Sequence, residues 1–336
     1  MKKERISLYR DLEQMRNSKI LVYATSDRPG FEAQIAEDAL DYFIEQLDKI
    51  GPTNKISLFL YTRGGDTMAA WSIVNLIKQF CEEFEVIIPL KAHSSGTLIS
   101  IGANNVVMTK QATLGPIDPS INTPLNPQIP GGSIQSKMPV SVEAVTGFLD
   151  LAKNELGIND EASLSKIYDR LSEVVHPLVL GQVYRTRSQI KMVAEKLLKS
   201  QVSDPEKVKK IIEFLCSESG SHDYTINRRE AKDYLGLNIE KPTQEEYNII
   251  KSIYYSIKEE LELGKPFDPN LLFIHGSNQA HYSNKRVILE SIEGGCDTFV
   301  SEGTLTRELI KDQNGMNQVL LNDNRKYEGW RSENNE

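Results

Sequence analysis

Two short turns in this sequence carry residues able to do chemistry on a carbonyl group. In Arg63-Gly64-Gly65-Asp66 a glycine pair separates an apolar run from a helical pattern. Two glycines free the backbone to take positive φ and let another molecule approach the main chain, so such a turn can present N–H groups. Asp66 or Thr67 caps the helix that follows, whose N-terminal donors favour developing negative charge. A plain tight turn has the same composition. In the second turn an apolar strand ends in Ala92-His93-Ser94-Ser95-Gly96 and runs straight into Thr97–Ala103. A serine on a sharp strand-to-helix turn projects its Oγ above the sheet, and the next N–H points into the same space as an oxyanion donor. The motif is not Gly-x-Ser-x-Gly, so an ordinary α/β-hydrolase elbow is not what is written. These serines read equally as helix N-caps, and the turn alone does not choose. A nucleophilic serine needs a base, and His93, His176, His222, His275 and His281 are the natural candidates.

The elements that must hold these turns follow from hydrophobic periodicity. Lys19–Thr25 is a compact apolar run and reads as a strand; Phe31–Ile50 repeats at helical spacing through Ile35, Ala39, Phe43, Ile44 and Leu47. Strand Lys55–Thr62 leads through the glycine turn into helix Thr67–Phe80, and strand Glu85–Ala92 leads through the serine turn into a second helix. Asn105–Thr109 is one more strand. Strands alternating with helices predict a mainly parallel sheet covered on both faces, with functional turns at the strand C-terminal ends. Gly115–Pro139 is loop-like and rich in proline, Val140–Ser217 is helical, and Thr243–Leu263 is an amphipathic helix. Leu271–His275, Arg286–Ser291 and Thr298–Ser301 read as short strands, the last two joined as a hairpin through Glu293-Gly294-Gly295-Cys296. The polar end, Asn322–Glu336, is expected to fray.

Composition narrows the function classes. The chain has 336 residues, 39% hydrophobic and 26% charged, with net charge −8. An acidic balance without a basic, aromatic-laced run argues against nucleic acid. Three widely spaced cysteines, Cys81, Cys216 and Cys296, fit neither a disulfide framework nor a zinc site, and no Gly-x-Gly-x-x-Gly follows a strand, so no metal and no cofactor is expected. A charged N-terminus and the lack of about 18 successive apolar residues predict a cytoplasmic protein with no signal peptide and no membrane span.

Three blocks occur in order: Tyr61-Thr62-Arg63-Gly64-Gly65, Ser94-Ser95-Gly96-Thr97-Leu98-Ile99 and Leu114-Gly115-Pro116-Ile117-Asp118-Pro119. A fourth is His222-Asp223-Tyr224-Thr225-Ile226 with Glu230-Ala231 and Leu235-Gly236-Leu237. Over roughly residues 15–265 the chain resembles the serine dehydrogenase proteinases, Clp-fold serine peptidases related to caseinolytic and signal-peptide peptidases. The resemblance implies an α/β, ClpP/crotonase-like fold, a mainly parallel sheet with flanking helices and a helical C-terminal half. The chain is read as a catalytic domain over 1–240, a C-terminal helix plus small strand-containing unit over 241–322, and a disordered tail over 323–336. Related peptidases place the nucleophile two residues before the elbow glycine, which selects Ser94, with the N–H groups of Ser95 and Gly65 as oxyanion hole. The matched blocks suggest Ser94, Asp118 and His222 as the triad, Asp118 orienting the imidazole. Caseinolytic proteases run Ser, His, Asp instead, and Asp223 is an alternative carboxylate.

Among the other histidines, His93 adjoins the nucleophile, but neighbouring side chains on a strand end point to opposite faces, so it reads as structural. His176, before Pro177, reads as a cap or packing residue. Lys137 offers a Ser-Lys dyad as in signal-peptide peptidases. The resemblance also implies a peptide or protein substrate and a homo-oligomer. Two rivals remain: an acyl-CoA enzyme on the same superfold, using the two N–H donors on a thioester enolate, and a non-catalytic binding module.

Overall fold

The structure, a computed structural model, describes residues 3–118, 120–131, 136–218, 223–273, 277–311 and 317–333. Helix α1 (Lys3–Arg16) leads into β1 (Lys19–Thr25). Alternation along β1 sends Leu21 and Tyr23 to one face of the sheet, and Ile20, Val22 and Ala24 to the other. Helix α2 (Leu40–Ile50) returns the chain to β2 (Thr53–Tyr61), and α3 (Thr67–Phe80) to β3 (Cys81–Ile88). After the two-residue β4 (Lys91–Ala92) comes α4 (Ser95–Gly102), all of whose residues are buried, then β5 (Asn105–Met108) and β6 (Thr113–Leu114).

The middle of the chain is largely helical. Strands β7 (Ser120–Ile121) and β8 (Val140–Ser141) pair with each other, then α5 (Val142–Asp150), α6 (Glu161–Val174), α7 (Pro177–Leu198) and α8 (Pro205–Glu213) follow. Strand β9 (Ile226–Asn227) pairs with β6, and β10 (Ile239–Glu240) with β5. Helix α9 (Gln244–Glu260) starts in a full capping box, Thr243 and Glu246 each satisfying the other's backbone N–H. The chain closes with β11 (Gln279–Ser291), β12 (Gly295–Lys311) and β13 (Asn317–Glu333).

One eight-stranded sheet, in the order β10-β5-β3-β2-β1-β11-β12-β13, runs through the molecule. Strands β10, β5, β3, β2 and β1 are mutually parallel; the last three are antiparallel additions. Phe43, Ile73, Ile77, Ile101 and Leu197 of α2, α3, α4 and α7 cover one face. Tyr9, Leu12, Ile250, Ile253 and Ile257 of α1 and α9 cover the other. Each such side chain taken wholly out of water contributes about 1.5–3 kcal/mol. Beneath α1, buried Arg5 bonds Glu290 of β11 and Glu260 of α9, tying both ends of the chain to this face.

The structure corrects three expectations. Residues 31–36 are not helical: Ile35 pairs with Gly65, so its backbone belongs to the glycine turn. Residues 269–272 form a 3-10 turn rather than the start of a strand, because Asp268 caps it and Pro269 sits at its first position; Ile274 and His275 of that expected strand are outside the described residues. The expected tail from 323 is strand β13 up to Glu333, paired along β12. The strands after residue 277 thus extend the main sheet instead of forming a separate small one.

Candidate active site

The two turns meet at the C-terminal end of the parallel strands. Past β2, Thr62 donates its N–H to Lys91 O (3.1 Å) and accepts from His93 N (3.2 Å), so the chain is held against the strand that feeds Ser94. Gly64 and Gly65 follow with φ of 115° and 148°. Ile35 N donates to Gly64 O (2.9 Å) and Asp66 N to Ile35 O (2.8 Å). In a trans peptide the C=O and the following N–H point in opposite directions. With Gly64 O turned to Ile35, the Gly65 N–H is turned to the opposite side, and no acceptor for it is found among the described residues. Both glycines are required by space as well as by φ. A Cβ on Gly64 would stand 2.6 Å from Ser94 Cβ and 3.1 Å from its Oγ, and one on Gly65 would strike the backbone of Ile35.

Ser94 has φ 52° and ψ −116°, a conformation that residues other than glycine rarely adopt. It precedes α4, yet its side chain makes no capping bond. Backbone strain of this kind costs about 1–3 kcal/mol and persists only where the surroundings fix it. They do so here. Gly96 leaves room for the methyl of Thr62, and Gly115 for the ring of His93. Thr97 Oγ1 donates to Gly115 O (2.7 Å) and accepts from Gly115 N (3.1 Å), which holds Gly115 against the elbow. Ser95 N–H is the first of α4 and has no acceptor among the described residues. The result is a half-exposed hydroxyl with two N–H donors nearby, an arrangement able to attack a carbonyl and to stabilise the oxyanion that forms.

The candidate bases are distributed differently. His93 Nε2 lies 2.8 Å from Thr113 Oγ1. His176 caps α7 through Nδ1, accepting from Leu178 N, as its place before Pro177 suggests. His281 Nδ1 lies 2.9 Å from Thr304 Oγ1 on the antiparallel strands. His222 is outside the described residues. Asp118 accepts from Ser141 Oγ (3.1 Å) and, at 3.4 Å, from Glu143 N at the start of α5; no contact joins it to Ser94. Burial pushes the neighbouring Glu143 carboxyl up, Arg187 opposes this and Asp118 adds to it. Lys137 is half-buried on a short ribbon where it pairs with Gln128.

On the far side of the strand that feeds the elbow, Asp27 accepts from Lys91 Nζ (2.6 Å) and Tyr61 OH (2.9 Å). Burial and the Asp27 charge hold the Tyr61 hydroxyl well above the ordinary phenol range. The cysteines are unpaired, and burial pushes the Cys216 thiol to about 12. No cluster of three or more metal-ligating side chains occurs among the described residues, and none of their helices is long and apolar enough to cross a membrane.

The chain thus sets a strained serine elbow beside a glycine turn at one end of the parallel strands of an α/β core. The model of the ClpP-like SDH-type serine proteinase family matches residues 43–155, which contain both turns and the Asp118 block, and the chain is similar to that family over this stretch. Two uncharacterized proteins of Methanocaldococcus jannaschii are similar to the chain. One is 27% identical over 259 residues, covering 74% of this chain and 78% of the relative. The other is 29% identical over 187 residues, covering 55% of this chain and 51% of the relative, so the chain spans about half of it. Solved structures with some likeness include the 1510-N membrane-bound stomatin-specific protease in complex with a substrate peptide, at 15% identity and TM-score 0.37, covering 68% of this chain and 76% of that one. ClpP1 from Listeria monocytogenes has 14% identity and TM-score 0.37, covering 70% and 98%.

Proposed function

We propose that the chain is a serine endopeptidase in which Ser94 attacks the scissile carbonyl and carries the acyl group, while Gly65 and Ser95 N–H receive the oxyanion. The observation that carries this reading is the Ser94 backbone, φ 52° and ψ −116°, held strained and without a capping bond against Gly64. Two donors aimed at one oxygen are worth roughly 3 kcal/mol each in the transition state. The test is stoichiometric labelling by a serine-directed phosphonate in the wild type and none in Ser94→Ala. An unlabelled wild type would leave the acyl-CoA enzyme or the binding module, which use no serine nucleophile; tight binding of CoA would single out the former.

His222, matched by family resemblance, is the proposed base, with Asp118 as its carboxylate partner. One observation favours a second reading with Lys137: the Asp118 carboxylate already accepts from Ser141 and Glu143 at the start of α5, and a lysine base needs no orienting carboxylate.

Substrates are proposed to be peptides or proteins, cleaved by a self-associating enzyme in the cytoplasm. Self-association is supported by the helical region, where α6 has no buried residue and Phe148, Leu156, Val174, Leu178 and Tyr184 are exposed. Light scattering should give a mass several times 37.9 kDa; a monomer at all concentrations contradicts this.

A further inference from the structure

Thr62 sits at the point from which both turns are fixed. It is fully buried, and three parts of it face three different elements. Its backbone is bonded to Lys91 O and His93 N, on the strand that feeds Ser94. Its methyl fills the space left by Gly96 at the start of α4. Its Oγ1 accepts from Gly64 N (3.0 Å) and from Thr25 Oγ1 (2.8 Å) at the end of β1. A hydroxyl oxygen has two lone pairs, and both are used.

The hydroxyl fixes how the peptide between the two glycines is turned. Gly64 N–H is drawn back onto Thr62, Gly64 O is bonded to Ile35, and the Gly65 N–H is left on the side away from Ile35 with no acceptor among the described residues. Were the Thr62 hydroxyl removed, the Gly64 N–H would be buried and unpaired. A glycine pair offers little resistance to rotation of the intervening peptide, so the turn would reorganise to satisfy that N–H and carry the Gly65 N–H off its line.

We propose that Thr62 is a positioning residue for the hydrolysis: through its hydroxyl, braced by Thr25, it sets the glycine turn so that Gly65 N–H meets the oxyanion. This rests on the reading of Ser94 as nucleophile and Gly65 as donor. Thr62 itself touches no reacting atom.

The test compares wild type, Thr62→Val, Thr62→Ser and Thr25→Val in hydrolysis of fluorescein-labelled casein and in affinity for a peptidyl boronate, which needs the oxyanion hole. Valine keeps the methyl beside Gly96 and loses the hydroxyl; serine does the reverse. A misplaced donor costs about 10²-fold. Thr62→Val should therefore lower kcat about 10²-fold with KM nearly unchanged, and weaken the boronate by a similar factor, while Thr62→Ser recovers most of both. Thr25→Val, which leaves Gly64 held, should show a smaller loss in the same direction. Wild-type kcat and boronate affinity in Thr62→Val overturn the proposal, as does a serine variant as impaired as the valine one, which would assign the effect to the methyl. Should Thr62→Val not fold, an unchanged Thr25→Val overturns it. A wild type that neither hydrolyses casein nor takes a phosphonate at Ser94 overturns the nucleophile reading, and this proposal with it.

Discussion

Helix α3 leaves β2 through residues 62–66 and α4 leaves β4 through residues 93–94, and each begins after a residue type that ordinarily caps. Asp66 behaves as expected: its backbone is extended and its carboxylate accepts from Met68 N (2.7 Å) and Ala69 N (2.8 Å). Ser94 does not. Its φ is positive, its hydroxyl makes no bond to the helix, and the first turn of α4 closes through backbone bonds onto Ser94 O and His93 O. Two start sites with similar sequence logic thus divide the work. One spends its side chain on stability, and the other withholds it at the cost of strain. A cap residue that does not cap is the physical mark of a side chain reserved for something else.

The most forceful way to break the comparison is at Ser94. Ser94→Ala should lower peptide or ester hydrolysis by at least about 10³-fold while leaving the circular dichroism spectrum unchanged; Ser95→Ala should be far milder. Equal losses in the two variants would mean that Ser94 is not reserved at all.

Next in size is the base. Replacing the true base should lower turnover by about 10²–10⁴-fold, so His222→Ala and Lys137→Ala, assayed at matched folding, separate the two readings. A base must be neutral to accept the serine proton, so the rate rises with pH through the base's pKa. For an unperturbed histidine that midpoint is ~6.5.

The smallest effects are on stability, and they should have opposite signs at the two helix starts. Asp66→Ala removes a working cap and should cost about 1 kcal/mol in chemical denaturation. Ser94→Gly relieves the positive φ without losing any cap and should stabilise by about 1 kcal/mol, with hydrolysis abolished. Destabilisation by Ser94→Gly would show that the backbone there is not strained.

Much of this was legible in the chain. The apolar run of β1 and the helical spacing of α3 appear at the boundaries read from sequence, because burial on both faces leaves a continuous apolar strand and glycine punctuates sharply. Strand β13 was not legible: Asn322-Asp323-Asn324-Arg325-Lys326 has no apolar alternation. It is a strand through its partners, with Arg331 paired to Glu302 on β12 and Trp330 stacked on Tyr42 of α2. The extended run before α2 was misread for a related reason, since Ile35 has helical periodicity but its backbone is taken by Gly65. The role of Thr62 left a faint signal, a hydroxyl two residues before a glycine. The partners of Asp118 left none, because Ser141 and Glu143 reach it only through folding.

The pairing of β1 with β11 sets a timetable. Leu21 faces Ser291 across the sheet, and Arg5 meets Glu290 beneath it. At about 5–20 residues per second, a ribosome delivers β11 some tens of seconds after β1. Until then one edge of the central strand, with its row of N–H and C=O groups, has no partner, and such an edge recruits other chains. The parallel half can assemble early around β1 and β2, but the loop closed by β11 is long and its ordering comes late. Refolding yield should therefore depend steeply on protein concentration, and the nascent chain should need shielding along that edge until its final strands arrive.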